Sequence, residues 1–507
     1  MAREVTIDGW PLTPEDVIEI ARRGARVALA PAARERIRAA SELVRAAARA
    51  GLPVYGVTTG LGHHVVERVD GGDGEELSLR IVRGRANAVG EPLASELVRA
   101  AMVVRASGLA AGGAGARVEV ADGLVALLNS GVHPTMPRSG SVGASDLCLM
   151  AHVGLTLVGE GEAELGGERM AAARALAAAG LEPVALGPKD GLAICSSSAV
   201  CAGTAALALA DAEHWLRCAQ IAAALSMEGF RANLSPLDPR VVAARPAPGQ
   251  EWAAGGLRAL LAGGSLTQAG AARRLQDPLS LRCVASIHGS LRAALDLLAA
   301  AVEPELGGAA DNPLVLAADG EILSTGNFHV PALALALDAV AIGLAQVATA
   351  IAERQGRLKS SRLSDLPDAL TPHGPGSSGF GPLGKTAQAL AIEVRHLAAP
   401  LSTMGTVGAD GVEDDSTGAT QAALRMRDQL ERCWPLVALE LIVAAQAVDL
   451  ASPERLGAGT AAAMACVREL VPPLDQDRPL GVDVERLAVR ALRSGLLAKR
   501  VGGTVPA

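Results

Sequence analysis

The chain is 507 residues long, half of them hydrophobic, and its formal net charge at pH 7 is -8. This negative balance argues against nucleic acid as a partner, because a protein that binds phosphates needs a basic face. Only 2% of the residues are aromatic, whereas alanine, the best helix former, is abundant. The composition therefore predicts a large helical unit and disfavours β-rich folds.

The N-terminal part predicts short elements. A short polar segment resembles a strand, and Thr13 followed by Pro14 then predicts the start of a helix with threonine as its N-cap. Short helices and glycine-rich turns alternate up to residue 200. After this point the chain consists mainly of long alanine-rich segments, which are 204–232, 284–304, 331–357, 383–400 and 417–450.

Segments of this length predict a mainly α fold built as a bundle of long helices, with functional loops at the ends of the helices. We predict two regions. Residues 1–200 form a loop- and short-helix-rich region, and residues 201–507 form the long-helix bundle, whose loops complete the functional site.

The sequence also predicts the compartment. Its seven cysteines form no Cys-x-x-Cys pair and are odd in number, which is typical of free thiols in a reducing cytoplasm. The N-terminal segment has no apolar signal core. The most hydrophobic stretch, 331–353, is interrupted by Asp338 and Gln346, which favours a buried bundle helix over a membrane span. We therefore expect a cytoplasmic protein that does not associate with membranes.

The chain contains a single tyrosine, Tyr55, in the glycine-rich segment Val-Tyr-Gly-Val-Thr-Thr-Gly-Leu-Gly at 54–62. A phenol on a loop is a candidate for proton transfer. The alternative is a turn tyrosine whose ring fills a gap and whose hydroxyl group finds one hydrogen-bond partner.

Four further loops carry unusual polar groups, and each also has a structural interpretation. In 140–147, Ser145 or Asp146 could be a helix N-cap. In 276–283, Arg282 lies among apolar residues and must pair, either with Asp277 or a neighbouring helix, or with a substrate carboxylate. The segments 311–314 and 326–329 have residues typical of Asx turns. Three adjacent acids begin at Glu413.

Together these loops resemble the histidine and phenylalanine ammonia-lyase family, which includes tyrosine lyases and 2,3-aminomutases. The resemblance extends over nearly the whole chain, and the motifs occur in the family's order. They are Tyr-Gly-x-x-Thr-Gly-x-Gly at 55–62, Gly-Ser-Val-Gly-Ala-Ser at 140–145, Gln-Asp-Pro-x-Ser-Leu-Arg-Cys at 276–283, Asp-Asn-Pro-Leu at 311–314, Gly-Asn-Phe-His at 326–329 and Glu-Asp at 413–414.

The resemblance implies an all-helical fold of the fumarase/aspartase-like superfamily and elimination of ammonia from an α-amino acid. The family uses an electrophile, methylidene-imidazolone (MIO), made from an Ala-Ser-Gly tripeptide of its own backbone. The resemblance implies neither a metal ion nor a nucleotide cofactor, and it implies a homotetramer in which loops of three subunits build each active site.

The resemblance also implies roles for individual residues. Tyr55 corresponds to the base that takes the β-proton, Arg282 to the carboxylate clamp and Glu413 to a carboxylate near the amine. Ala144, Ser145 and Asp146 occupy the position of the ring-forming tripeptide. The predicted substrate-binding residues are Arg282, Asn327, Phe328, Arg85, Ser196, Gln276 and Gly62.

The chain departs from the family pattern at the electrophile. The family has Ala-Ser-Gly-Asp-Leu where this chain has Ala-Ser-Asp-Leu at 144–147, so either the glycine is deleted or Asp146 replaces it. Ring closure needs a compressed turn that glycine permits and a Cβ atom hinders. The family asparagine that steadies the ring corresponds to Ser196, and the tyrosine usual before Ser-Leu-Arg corresponds to Leu279.

Arg85 lies at or beside the family's selectivity position, just before Val-Gly-Glu-Pro-Leu at 89–93. An arginine here favours an acidic or strongly polar substrate over phenylalanine or histidine. The structural alternative is a salt bridge to Glu91 or Glu413.

Three hypotheses follow. The first is an ammonia-lyase or aminomutase that forms the ring from Ala144-Ser145-Asp146. The second is a diverged lyase or isomerase without the ring, whose leaving group needs no electrophile. The third is a catalytically inactive homologue that binds a small carboxylate or assembles with an active paralogue.

Overall fold

The computed structural model describes residues 3–69 and 74–502, and this part of the chain is mainly helical. The helices of the N-terminal half are α1 Pro14–Ala21, α2 Pro31–Arg49, α3 Gly74–Arg85, α4 Ser95–Ala110, α5 Val118–Ser130, α6 Leu147–Leu157, α7 Ala172–Ala178, α8 Asp190–Cys195, α9 Ala199–Phe230, α10 Pro239–Ala244 and α11 Gln250–Leu261. Those of the C-terminal half are α12 Leu279–Arg282, α13 Val284–Val302, α14 Pro331–Leu358, α15 Ser361–Ser364, α16 Leu383–His396, α17 Ala419–Ala451, α18 Ala458–Leu470, α19 Gly481–Leu487 and α20 Leu496–Val501.

The strands are short and form small separate sheets. They are β1 Glu4–Ile7, β2 Arg26–Leu29, β3 Val89–Pro92, β4 Val132–Pro134, β5 Pro137–Ser139, β6 Glu162–Leu165, β7 Glu168–Ala171, β8 Leu314–Leu316 and β9 Glu321–Leu323. Strands β1 and β2 pair in parallel, whereas β3–β5, β4–β6–β7 and β8–β9 are antiparallel. None of these sheets is large enough to organise a core, so the helices do so.

The prediction of a mainly α fold with long helices is confirmed. The five predicted segments correspond to α9, α13, α14, α16 and α17, and most boundaries agree within a few residues. The Thr13 N-cap is confirmed as well. Thr13 Oγ1 accepts a hydrogen bond from the Asp16 amide at 3.2 Å, and the Asp16 carboxylate accepts one from the Thr13 amide at 3.2 Å. Such a reciprocal capping box satisfies two amides at the start of a helix.

Three helical stretches are long and apolar enough, by length and composition, to cross a membrane. They are Asp190–Phe230, Pro331–Leu358 and Ala419–Ala451. In the most apolar 18-residue stretch of each, 100%, 72% and 83% of the residues, respectively, are buried inside the protein. The second contains the hydrophobic stretch 331–353. Its prediction as a buried helix agrees with this burial.

The chain folds into two compact units, each assembled from separated segments. The first unit comprises residues 1–209, 298–337 and 400–424. Within it α4 packs against α1 and α5, and α8 packs against α3 and α6. The two functional loops discussed below, 54–62 and 140–147, both belong to this unit.

The second unit comprises residues 210–297, 338–399 and 425–507. Its interior contains a fully buried ion pair between Arg354 and Glu440, and Ser226 donates a hydrogen bond to Glu440 at 2.8 Å. A buried ion pair needs such additional hydrogen bonds to offset the loss of hydration. The division at residue 200 was based on the change in sequence composition, and it stays a prediction.

Candidate active site

A cavity of about 320 Å³ lies within the first unit, and the loops singled out in the sequence surround it. Its wall includes members of five of the six motifs, although these lie hundreds of residues apart in sequence. The lining residues are Tyr55, Leu61, Gly62, His63, His64, Arg85, Ala144, Ser145, Leu147, Leu192, Ser196, Asn312, Phe328 and Glu413.

Tyr55 lies on the loop that follows α2, and its ring is half-buried in the cavity wall. The loop is held in place because Val54 and Val57 pack into the core and Thr58 Oγ1 donates to the Leu52 carbonyl at 2.7 Å. Tyr55 Oη accepts a hydrogen bond from the Gly62 amide at 2.9 Å. The Gly62 amide therefore fixes the position of the phenol oxygen of this cavity-lining residue.

The segment 144–146 forms the neighbouring wall, and its backbone is strained. Ser145 has φ = 64°, in the left-handed region where glycine is favoured. Ala144 and Ser145 are buried and line the cavity. Ser141 Oγ donates to the Ser145 carbonyl at 3.2 Å, so this turn is closed by a side chain of its own loop.

Asp146 is 1% exposed and is not among the residues that line the cavity. Its carboxylate accepts hydrogen bonds from Ser141 Oγ at 2.8 Å, from Thr420 Oγ1 at 2.5 Å and from the Cys201 amide at 3.0 Å. Burial raises the pKa of Asp146, and these hydrogen bonds, with one from the Val200 amide, oppose that rise.

The prediction of Asp146 as an N-cap is confirmed only in position. It precedes the first residue of α6, but its side chain makes no capping hydrogen bond there. Instead it accepts from the amides of Val200 and Cys201, in the first turn of α9. The carboxylate thus lies at the positive end of a 32-residue helix, where a negative charge is stabilised. The amide of Asp146 donates to the Ser197 carbonyl at 2.7 Å.

Ser196, at the end of α8, is 6% exposed and lines the cavity. The cysteines nearby are poor nucleophiles. Burial raises the pKa of Cys195 to about 12, and burial together with the Asp146 carboxylate raises that of Cys201 well above its ordinary value. All seven cysteines are free thiols, and these two stay protonated at neutral pH.

Arg85 and Glu413 give the cavity one cationic and one anionic side chain. Neither makes a side-chain hydrogen bond or an ion pair within 4.0 Å with any residue in 3–69 or 74–502. The alternative of a salt bridge from Arg85 to Glu91 or Glu413 is therefore wrong. A charged group in a cavity without a protein partner is a candidate for contact with a ligand.

Besides Asp146, three predicted site residues do not line this cavity. Arg282 and Gln276 belong to the second unit, where the Arg282 guanidinium donates to Gln276 Oε1. Arg282 forms no salt bridge with Asp277 in the described part of the chain. The Asp277 carboxylate accepts from the Asn233 amide at 2.6 Å, and the charge of Arg282 only helps to oppose the rise in the Asp277 pKa that burial causes. Asn327 is exposed and donates to the Ala309 carbonyl at 3.3 Å, whereas the next residue, Phe328, lines the cavity.

The sequence analysis did not assign Asn312, His63 or His64 to the site, although all three line the cavity. Asn312 lies in the 311–314 motif, which was interpreted as a turn. Its neighbour Asp311 forms an ion pair with Arg105 at 2.6 Å, and both side chains are 1% exposed. His63 and His64 directly follow the tyrosine loop, so their proximity to Tyr55 was the signal that could have identified them.

Comparisons with known proteins identify the family of the chain. A sequence model of the family "Aromatic amino acid lyase" matches residues 12–469. The histidine ammonia-lyase of Symbiobacterium thermophilum is 41% identical over 481 residues, which are 95% of each chain. The fold and the site together define a carbon–nitrogen lyase. The chain belongs to the aromatic amino acid lyase family.

Two solved structures resemble the chain over almost its whole length. Tyrosine aminomutase from Streptomyces globisporus has a TM-score of 0.93 at 31% identity, with 99% of each chain covered. Ergothionase, an ergothioneine-degrading enzyme from Treponema denticola, has a TM-score of 0.92 at 29% identity and covers 98% of this chain and 99% of its own. None of these names supports the expected acidic or strongly polar substrate.

Proposed function

We propose that the chain removes the α-nitrogen of an amino acid with an imidazole-type side chain and leaves an α,β-unsaturated acid. One observation carries the proposal: Tyr55, Glu413 and Arg85 line the same cavity, and the two charged groups have no partner among the described residues. A base, an anion and a cation around one small cavity suit a β-elimination from a zwitterion.

In this reaction Tyr55 Oη takes a proton from the β-carbon of the substrate. The electron pair of that C–H bond forms the Cα=Cβ double bond, and the Cα–N bond breaks with its electrons on nitrogen. The Gly62 amide, 2.9 Å from Tyr55 Oη, keeps the oxygen oriented and stabilises its charge. Glu413 attracts the positively charged nitrogen and so fixes which end of the substrate faces the base.

The relatives support an imidazole-type side chain. Histidine and ergothioneine, the compounds in their names, share this ring, and ergothioneine carries a thione sulfur on it. A guanidinium donates hydrogen bonds well to a ring nitrogen or to an electron-rich sulfur. Arg85, at the selectivity position, therefore faces the ring in our proposal.

A substrate panel tests the reaction. Purified protein is incubated with L-histidine, L-phenylalanine, L-tyrosine, L-aspartate and ergothioneine, and the conjugated product is followed by its ultraviolet absorbance. We expect turnover of an imidazole compound and a loss of at least about 100-fold in kcat for Tyr55→Phe. Calorimetry on the variant provides the control, because binding is retained when only the proton acceptor is lost. Turnover that Tyr55→Phe leaves unchanged refutes the proposal.

Arg85 has its own test. Arg85→Gln removes the charge, and we expect KM to rise by about 10- to 100-fold, as for one charge-assisted hydrogen bond. Arg85→Lys keeps the charge but loses the planar fork, so it recovers only part of the affinity. An equal KM for all three proteins would show that Arg85 does not contact the substrate.

We further propose a homotetramer in which Arg282 clamps the substrate carboxylate in the cavity of a neighbouring subunit. Support comes from large apolar side chains exposed on the long helices, among them Leu297, Leu335 and Ile342, since such residues are typical of subunit contacts. Light scattering should give the mass of four 51.2-kDa chains. Co-expressed Tyr55→Phe and Arg282→Gln chains, each inactive alone, should recover part of the activity if sites are shared. No recovery argues against sharing.

A further inference from the structure

We propose that 144–146 stays an ordinary peptide, without the methylidene-imidazolone ring, and that the enzyme therefore eliminates a quaternary ammonium group from a betaine. This inference rests on the β-elimination proposed above and specifies its leaving group. It follows from the contacts of Asp146 together with the chemistry of the α-nitrogen.

The ring would form by attack of the Asp146 amide nitrogen on the Ala144 carbonyl carbon. That amide is engaged elsewhere, because it donates to the Ser197 carbonyl at 2.7 Å. Closing the ring would remove this N–H group and draw the backbone of Asp146 toward Ala144. The Ser197 carbonyl, in a residue that is 4% exposed, would then lose its donor, which is costly in a buried environment.

The side chain of Asp146 opposes the same movement. Its carboxylate holds together Ser141, Thr420 and the first turn of α9 through contacts of 2.5 to 3.0 Å. Shifting Asp146 would break several of these buried hydrogen bonds at once and leave their partners unsatisfied, which is costly. A glycine at this position would carry no such anchor. The residues present therefore do not fit the ring.

The hydrogen bonds of Asp146 also bear on the strained turn that precedes it. Ser145 is in the left-handed region with φ = 64°, a conformation that is unfavourable for a residue with a Cβ atom. The hydrogen bonds of Asp146 offset this cost. The same residue thus fixes both the turn at the cavity wall and the start of α9, and it has a structural role without any ring chemistry.

Without an electrophile, a primary ammonium group is a poor substrate for β-elimination. A base removes an N–H proton far more readily than a β C–H proton, and the resulting neutral amine leaves only as an amide ion. A quaternary ammonium group has no N–H to lose, and it departs as a neutral tertiary amine. The missing ring therefore selects a substrate whose nitrogen is already activated.

The balanced reaction needs no co-reactant. For a trimethylammonium betaine, Tyr55 Oη takes the β-proton, the C–H electrons form the Cα=Cβ bond, and the Cα–N electrons leave with trimethylamine. The products are an unsaturated carboxylate, trimethylamine and one proton, which Tyr55 returns to solvent. The charge of the reactants equals that of the products.

The cavity also suits such a head group. A quaternary ammonium donates no hydrogen bonds and binds through charge and aromatic faces. Glu413 supplies a carboxylate without a partner among the described residues, and Phe328 supplies an aromatic ring in the same wall. Because nothing covalent retains the released amine, the reaction ends as elimination and does not proceed to transfer of the amine to the β-carbon.

Two measurements on the intact protein test the inference. Mass spectrometry of the denatured chain should give the unmodified mass, whereas a ring would lower it by two waters, about 36 Da. The probes for turnover are histidine trimethylbetaine and L-histidine, with trimethylamine and ammonia quantified separately. We expect trimethylamine from the betaine, and ammonia from L-histidine at least about 100-fold more slowly.

The outcomes are distinct. A mass lower by two waters overturns the inference, and so does comparable or faster release of ammonia from L-histidine, but either result leaves the β-elimination intact. Absence of amine release from both probes overturns the inferred substrate class. Trimethylamine release that Tyr55→Phe does not slow would instead refute the proposed function. Glu413→Gln provides a further readout: it should raise KM for the betaine by about 10-fold or more, since it removes only the charge.

Discussion

Lys189 is a buried lysine of the first unit, and its charge should make the stability of the protein depend on pH. It is 2% exposed, and its ammonium group donates to the carbonyls of Ala114 and of Pro313, the latter at 2.8 Å. Pro313 directly follows Asn312, a cavity residue. Burial lowers the pKa of Lys189 from 10.5 to about 8, and Asp311 opposes that effect while Arg105 adds to it.

These pKa values determine how the stability of the folded protein changes with pH. Because the folded-state pKa lies below the unfolded value, the folded protein favours the neutral amine. Below pH 8 both states are charged and the folded state bears the full cost of burying the charge. Between pH 8 and 10.5 that cost disappears, and stability rises with pH. The size of the pKa change corresponds to roughly 3 kcal/mol.

The perturbation is Lys189→Met, which keeps the length of the side chain and removes the titration. Unfolding by urea is measured at pH 7, 8, 9, 10 and 11 for both proteins, in the same ionic strength. We expect the free energy of unfolding of the parent, minus that of the variant, to increase by about 3 kcal/mol across this range. Lys499→Met, at an exposed lysine, controls for the loss of one charge. A difference that stays flat, or decreases with pH, would refute the reasoning.

Three further substitutions test the local arguments. Arg105→Met leaves the buried Asp311 carboxylate unpaired and should cost about 3–5 kcal/mol, and adding Asp311→Leu should recover part of that loss, as measured by urea unfolding. Thr13→Ala removes the capping box of α1 and should cost about 1 kcal/mol, whereas Thr13→Ser should be nearly neutral. Gly143→Ala should lower the thermal midpoint and the activity together, because Gly143 has φ = 86° and a Cβ atom would lie 2.7 Å from the Gly418 amide nitrogen. An unchanged midpoint would contradict the last argument.

The helical architecture and most of the cavity wall could be predicted from the sequence. Alanine-rich periodic segments form helices through local preferences, which is why α9, α13, α14 and α17 begin and end close to the predicted positions. The motifs led to Tyr55 and Glu413 as candidate site residues, and both line the same cavity although 358 positions separate them in the sequence.

The interpretation of Arg85 shows where sequence reasoning is limited. An arginine near Glu91 and Glu413 suggested a salt bridge, and its charge suggested an acidic substrate. The structure leaves Arg85 without a described partner, and the names of the relatives do not support an acidic substrate. Side-chain pairing depends on where separate segments meet, and no local pattern in the sequence encodes that position.

The contacts of Asp146 likewise depend on tertiary structure. The sequence by itself determined the helices, the order of the motifs, the family and the absence of the usual glycine after Ser145. Only the tertiary structure decided that Asp146 binds the first turn of α9 and the hydroxyl group of Thr420, since these partners lie 55 and 274 positions away along the chain. Contacts of that range arise from packing, whereas helix formation depends on residues three or four positions apart.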